Sequence, residues 1–173
     1  GLAAGSGLNA YAVLLVYGGI ARLFPGEFPG AVPLFLSEPA TLGVLLGLYL
    51  LEFFADKIPG LDHVWDVAHT VVRPLAGGLL AFAAVAPGAD TALTVLAAGG
   101  GGVTALAAHV VKGTARLTST ALTAGVANFA LSLAEDVLAV LQAIVSVFLP
   151  LVALVLALAV AGLFLLCVPK LAK

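Results

Sequence analysis

Six apolar runs, each near the length that crosses a bilayer core, alternate along this chain with short stretches of Pro, Gly and charge. A transmembrane helix needs about 20 predominantly apolar residues, and a soluble fold has nowhere to hide so many runs of that kind. The runs cover residues 8–24 (reaching back toward Ala3), 41–55, 62–86, 91–111, 121–147 and 150–168. Turn chemistry separates them at Pro25-Gly26-Glu27-Phe28-Pro29-Gly30, Lys57-Ile58-Pro59-Gly60 and Pro87-Gly88-Ala89-Asp90. Residues 75–86 alone are too short to cross. The third crossing therefore begins in the polar stretch before it and bends at Pro74. A polar link over residues 112–120 joins the fourth and fifth runs. The expectation is an all-α, polytopic membrane helical bundle of about six transmembrane helices, one transmembrane domain over residues 1–173.

Charge supports that reading. Seven Lys/Arg and nine Asp/Glu cannot coat a soluble globule of 173 residues, and lipid removes the need for such a coat. The net charge of -2 argues against a nucleic-acid partner. With six spans, Lys57, Arg73, Lys112, Arg116, Lys170 and Lys173 fall on one side and Arg22 on the other. By the positive-inside rule both termini are cytoplasmic, and the outer loops carry Glu27, Glu38 and Asp90. No methionine occurs, so the natural start is expected to have been removed or to lie outside this sequence. The first 24 residues lack a basic n-region and read as a span, not a signal peptide. The one cysteine, Cys167, allows no intrachain disulfide and no Cys-based metal site. Its apolar setting suits lipid-facing packing, with palmitoylation near the helix end as the alternative.

The informative residues are the ionisable ones within spans, each costing about 2.5–3.5 kcal/mol at a helix centre unless paired or hydrated. Glu135 and Asp136 sit deep in the fifth run, with fourteen residues of the run (121–134) before Glu135. Asn128, Ser132 and Glu135 share a face at i, i+4 and i+7. This stripe reads as an ion or proton site, or as a neutral, hydrogen-bonded lock between helices. Adjacent Glu135 and Asp136 point about 100° apart and do not share one ion unless a third helix lies between them. Glu52 and Asp56, at i and i+4, flank a cation or pair with Lys57, Arg73, Lys112 or Arg116. Asp62, Asp66, His69 and Arg73 share one face at spacings of 4, 3 and 4. Asp66 and His69 at i, i+3 are a weak divalent-metal pair, and the competing reading is a salt-bridge ladder on an interfacial helix with Trp65 in the interface belt. His109, Lys112 and Arg116 form another polar face, read as a structural or pH-sensitive pairing histidine beside cations that meet anionic lipid headgroups or simply follow the positive-inside bias. Gly99-Gly100-Gly101-Gly102 and Gly77-Gly78 read as close helix packing rather than an unwound segment.

Two internal echoes stand out. Leu51-Glu52-Phe53-Phe54-Ala55-Asp56 against Leu133-Ala134-Glu135-Asp136 fits a three-plus-three inverted repeat. Gly7-Leu8-Asn9-Ala10-Tyr11-Ala12 against Gly125-Val126-Ala127-Asn128-Phe129-Ala130 does not fit the same scheme. Chance in an Ala/Leu/Gly-rich chain explains them equally well.

The words Leu51-Glu52-Phe53-Phe54-Ala55-Asp56-Lys57-Ile58-Pro59-Gly60-Leu61-Asp62-His63-Val64-Trp65-Asp66, then His69 and Arg73-Pro74, resemble a family of small bacterial membrane proteins, domain of unknown function 4126. Gly7-Leu8-Asn9-Ala10-Tyr11 and Ser132-Leu133-Ala134-Glu135-Asp136-Val137 look like its other recurring words. The resemblance covers nearly the whole chain. It implies a multi-pass protein of the bacterial cytoplasmic membrane and carries no established activity. A looser likeness joins Glu52-Phe53-Phe54-Ala55-Asp56-Lys57 to cation/proton exchangers with a Glu, any residue, Gly-Asp-Lys motif. Here there is one residue too many and no glycine.

The function expected is transport or conduction of a cation, a divalent metal or a proton-coupled solute, with no resident cofactor. Glu135, Asp136, Asn128, Asn9, Glu52 and Asp56 are its candidate ion-binding residues. Lys57, Asp62, Asp66, His69, Arg73 and His109 are its candidate gate or polar network. The competing class is a membrane subunit or scaffold, and either reading invites a homo-oligomer or a membrane-protein partner. No phosphate-binding loop, nucleophile elbow or His-Glu-x-x-His pattern occurs, so an enzyme is not expected. A lipid-acting enzyme has only Asp66 and His69 in its favour.

Overall fold

The computed structural model describes residues 1–28, 32–58, 60–85 and 87–159. They form seven α-helices: α1 (Leu2–Leu8), α2 (Ala10–Leu23), α3 (Pro39–Ala55), α4 (Leu61–Ala83), α5 (Thr91–Thr123), α6 (Asn128–Phe148) and α7 (Pro150–Ala159). Two short 3₁₀ turns, Pro25–Glu27 and Leu34–Ser37, link α2 to α3. The fold is all-α. Two helices, α5 and α6, are long and apolar enough to cross a membrane by length and composition, while α2, α3 and α7 are shorter apolar helices. The remainder of the sixth run, with Cys167, Lys170 and Lys173, lies outside the described residues.

The first apolar run is two helices, not one. Asn9 breaks it with an extended backbone (φ -148°, ψ 104°), and its side-chain oxygen accepts from the amide of Ala12 to cap α2. The residues expected to form a polar link are helical: α5 continues through Lys112–Thr120 and ends at Thr123. Ala124 (φ 51°) and Gly125 (φ 85°) then turn the chain back in left-handed conformations. Because α6 starts at Asn128, Glu135 lies about two turns into its helix and is not central in a longer span.

α4 and α5 form an antiparallel pair and make the most extensive helix contact in the molecule, and α1 wedges between α4, α5 and α6. Small residues make this closeness achievable. A Cβ at Gly77 would run into Ala105, the carbonyl of Gly101 and the hydroxyl of Ser6. A Cβ at Gly101 would meet Ala81 and the carbonyl of Gly77. The four-glycine run is thus continuous helix with one packed edge, whereas Gly99 and Gly100 face open space.

Each long helix buries a single stripe that changes character along its length. On α4 it runs Asp62, Asp66, His69, Arg73 and then Ala76, Gly77, Leu80, Ala83. On α5 it runs Gly101, Ala105 and then His109, Lys112, Arg116. On α6 it runs Asn128, Ser132, Glu135, Asp136 and then Ala139, Ala143, Val147. The antiparallel connections stack the charged halves at one end of the bundle. The other end has an apolar core that includes Val13, Leu14 and Tyr17 of α2 with Leu36, Leu45, Leu80 and Val147. The largest fully buried side chains are Arg73 and Arg116. Leu93, Val95, Leu96 and Val103 of α5, with Val137 and Leu138 of α6, are exposed.

Candidate functional site

The charged end holds one connected network. Arg73 of α4 donates from Nη2 to Glu52 Oε1 of α3 at 2.7 Å and lies 3.3 Å from Asp66 Oδ1. Lys112 of α5 is a hub for three carboxylates: Asp56 Oδ2 at 2.9 Å, Glu135 Oε2 at 3.4 Å and Asp66 Oδ1 at 3.7 Å. Arg116 reaches the same three, at 2.8 Å to Asp56 Oδ2, 2.5 Å to Glu135 Oε2 and 3.7 Å to Asp66 Oδ2. The side chains of Arg73, Lys112 and Arg116 are all 0% exposed. This overturns the headgroup reading of Lys112 and Arg116, since both spend their charge on buried carboxylates.

Asp136 takes a separate path. Its Oδ1 accepts from Asn9 Nδ2 at 2.9 Å and its Oδ2 from Lys57 Nζ at 3.1 Å. Glu135 and Asp136 thus face different partners, as their 100° separation requires. The chain break at Asn9 belongs to the same site. The carbonyl of Gly7 accepts from Arg73 Nη1 at 3.3 Å and that of Leu8 from Lys112 Nζ at 3.0 Å. Carbonyls at the end of α1 have no helical partner, and two buried cations satisfy them.

Two of the three histidines, His69 and His109, are held in defined tautomers. Arginine can only donate, so His109 Nδ1, 2.5 Å from Arg73 Nη1, accepts, and His109 Nε2 carries the proton toward Thr70 Oγ1 at 3.3 Å. His69 Nδ1 donates to the carbonyl of Trp65 at 2.8 Å, with the rings of Tyr11 and Trp65 beside it. His69 is therefore not a rung of the Asp66–Arg73 ladder. Asp62 stands apart as well: it accepts from the amides of Gly60 and His63 and from Asn128 Nδ2, and makes no ion pair among the described residues. The described residues also contain no group of three or more His, Cys, Asp or Glu placed to hold a metal. Asp66 faces three cations, and His69 keeps only Nε2 free.

Asp56, just beyond α3, shows the electrostatic balance. Burial disfavours its charge, but Lys112 and Arg116 outweigh that and hold its carboxyl below the usual carboxylate range. Not every oxygen is served. Buried acceptors with no donor among the described residues include Glu52 Oε2, Asp56 Oδ1, His69 Nε2 and Asn128 Oδ1.

Every sequence-nominated residue therefore comes to one end of the bundle, and all but Lys57 are buried. Lys112 and Arg116, which the sequence offers either to lipid headgroups or to Glu52 and Asp56, are its centre. The signal that marks them was their spacing with His109, which continues the small-residue stripe of α5.

An all-α protein with a charged interior and an apolar exterior is the class these features define. Residues 1–170 match the family described as Domain of unknown function (DUF4126), and the chain belongs to that family. No curated protein and no solved structure matches it.

Proposed function

We propose that this chain is an integral membrane transporter or channel of about six spans, carrying a cation, with the buried network as its ion- or proton-binding element. The inverted distribution of side chains supports the membrane setting, because charge inside and Leu and Val outside is stable where the solvent is hydrocarbon. One observation carries the choice of a cation. The buried end gathers six acids (Glu52, Asp56, Asp62, Asp66, Glu135, Asp136) but only Lys57, Arg73, Lys112 and Arg116 beside them. Among the described residues the network therefore carries a net charge of -2, six acids against four cations. Two protons or one divalent cation cancels it, and the donorless oxygens and His69 Nε2 supply acceptors. The broken helix at Asn9 adds support, since interrupted helices whose freed carbonyls line a polar interior recur at transporter sites.

The three-plus-three repeat belongs to the same proposal. α3 and α6 occupy corresponding places in the two halves and send Asp56 and Glu135 to the same guanidinium. This reading orients the end that gathers Lys57, Arg73, Lys112 and Arg116 toward the cytoplasm of a bacterial inner membrane.

The test is flux into proteoliposomes holding pH-sensitive and divalent-metal-sensitive dyes. Flux with the native protein that falls at least tenfold with Glu135→Gln and Asp66→Asn supports the reading. Full flux with both variants refutes these roles. Silence across a broad ion panel from folded protein refutes transport itself. A second reading, a membrane subunit whose charges lock helices together, draws on the fact that each cation of the network already has a carboxylate partner. Stoichiometric copurification of an unrelated membrane protein would favour it.

A further inference from the structure

We infer that the groove between α3 and α6 is a binding site for a single-chain primary amine, whose ammonium takes the place that Lys57 Nζ now fills on Asp136. The inference concerns the Asp136 arm of the network, so it rests on the same site as the transport reading but not on flux.

Lys57 Nζ sits in a complete ammonium cradle. It donates to the carbonyl of Phe53 at 3.0 Å, to Ser132 Oγ at 3.1 Å and to Asp136 Oδ2 at 3.1 Å, and lies 3.3 Å from the centroid of the Phe53 ring. A carboxylate, a hydroxyl, a carbonyl and an aromatic face are the groups that recognise a primary ammonium. None of them depends on the lysine being covalently attached to the chain. Lys57 follows α3 in a turn, not in a helix, so its withdrawal breaks no helical hydrogen bond.

The cradle is reached from outside. A groove of about 280 Å³ runs between Tyr49 and Phe53 of α3 and Leu133, Val137 and Leu141 of α6, with Asp136 as the one charged residue lining it. That volume is at the lower bound of small-molecule sites, roughly 300 Å³, and suits one short alkyl chain rather than a two-chain lipid. Lys57 is also the accessible cation of the network: its side chain is 10% exposed, whereas those of Arg73, Lys112 and Arg116 are all 0%. A zwitterionic lipid headgroup would bring its phosphate close to Asp136, a like charge that repels. The occupant is therefore an amine without an anionic group.

The experiment uses the full chain in phosphatidylcholine nanodiscs, with lysine Nζ labelled by ¹⁵N and the Lys57 signal assigned by its loss in Lys57→Gln. Octylammonium is titrated, with octanol as the equal-length neutral control. Expected is loss of the Lys57 ammonium signal as it enters water, with octylammonium and not with octanol. In Lys57→Gln, freed of the internal competitor, octylammonium should protect against thermal unfolding at about tenfold lower concentration than in the native chain. That protection should vanish in Lys57→Gln/Asp136→Asn. A Lys57 signal indifferent to octylammonium overturns the inference whatever the thermal protection shows. Equal displacement by octanol overturns the ammonium role, equal potency of methylammonium overturns the groove's role, and displacement by phosphatidylethanolamine nanodiscs overturns the choice of a free amine. Neither readout is flux, so failure of transport and failure of this site are separable.

Discussion

Replacing Arg116 with Met removes a cation that reaches three carboxylates, Asp56, Asp66 and Glu135, and leaves Lys112 as the cation shared by those three. Methionine fills much of the vacated volume, so the loss is chiefly electrostatic. The cheapest response of the folded protein is to protonate one carboxyl. Taking a carboxyl of ordinary acidity, near pH 4, to its neutral form at pH 7 costs about 4 kcal/mol, at about 1.4 kcal/mol for each pH unit. This agrees with the roughly 3–5 kcal/mol seen when one partner of a buried ion pair is removed. Arg116→Met should therefore lose about 4 kcal/mol at pH 7 and about 1.4 kcal/mol at pH 5 relative to the native chain at the same pH. The double variant Arg116→Met/Glu135→Gln should regain most of the loss, because it removes one charge of each sign. Unfolding of the detergent-solubilised protein by titration with sodium dodecyl sulfate, followed by circular dichroism, measures all three. A loss below about 1 kcal/mol at pH 7 would refute the reasoning, as would a loss that does not shrink toward pH 5.

Asp56 sets the acid limit. Its folded-state carboxyl is held below the ordinary value, so its contribution is present above the usual carboxylate range and lost as pH falls through the folded value; Asp56→Asn should flatten the acid limb of a stability–pH profile. The two sets of glycines should separate in thermal unfolding. Gly77→Val should cost at least about 1–3 kcal/mol because Ala105, Gly101 and Ser6 crowd the added atoms, whereas Gly99→Ala, in open space on α5, should gain up to about 1 kcal/mol from helix propensity.

What the sequence disclosed about this molecule follows the reach of helical periodicity. Spacings of three and four place Asp62, Asp66, His69 and Arg73 on one face, and all four are buried together. The Asn128, Ser132 and Glu135 face is buried as well. Of the partners suggested for Glu52 and Asp56, Arg73 meets Glu52, and Lys112 and Arg116 meet Asp56, whereas Lys57 goes to Asp136. Periodicity gives a face, however, and not the neighbour that face meets. Lys112 and Arg116 read as surface cations because polar residues at the end of an apolar run look alike whether the helix stops or continues. Here α5 continues through them to Thr123. The break at Asn9 escaped notice for a related reason. Gly5, Ser6 and Gly7 are individually tolerable in a packed helix, and what satisfies the broken backbone is Arg73 and Lys112, more than sixty residues away in sequence.

The stripe on α4 has a consequence for how the protein is made. This helix carries Asp62, Asp66, His69 and Arg73 on one side, and it is not among the helices long and apolar enough to cross a membrane on their own. Arg73 pairs with Glu52 of α3 and Asp66 with Lys112 and Arg116 of α5, one helix synthesised before α4 and one after. In the proposed membrane setting, a ribosome-bound chain cannot release α4 into lipid as a solitary segment. The helix must wait at the insertion site, shielded by water or protein, until α5 has emerged far enough to bring Lys112 and Arg116 alongside. Biogenesis of this bundle is then a matter of admitting three helices as one electrically balanced parcel, and a ribosome stalled before residue 116 should leave α4 outside the bilayer.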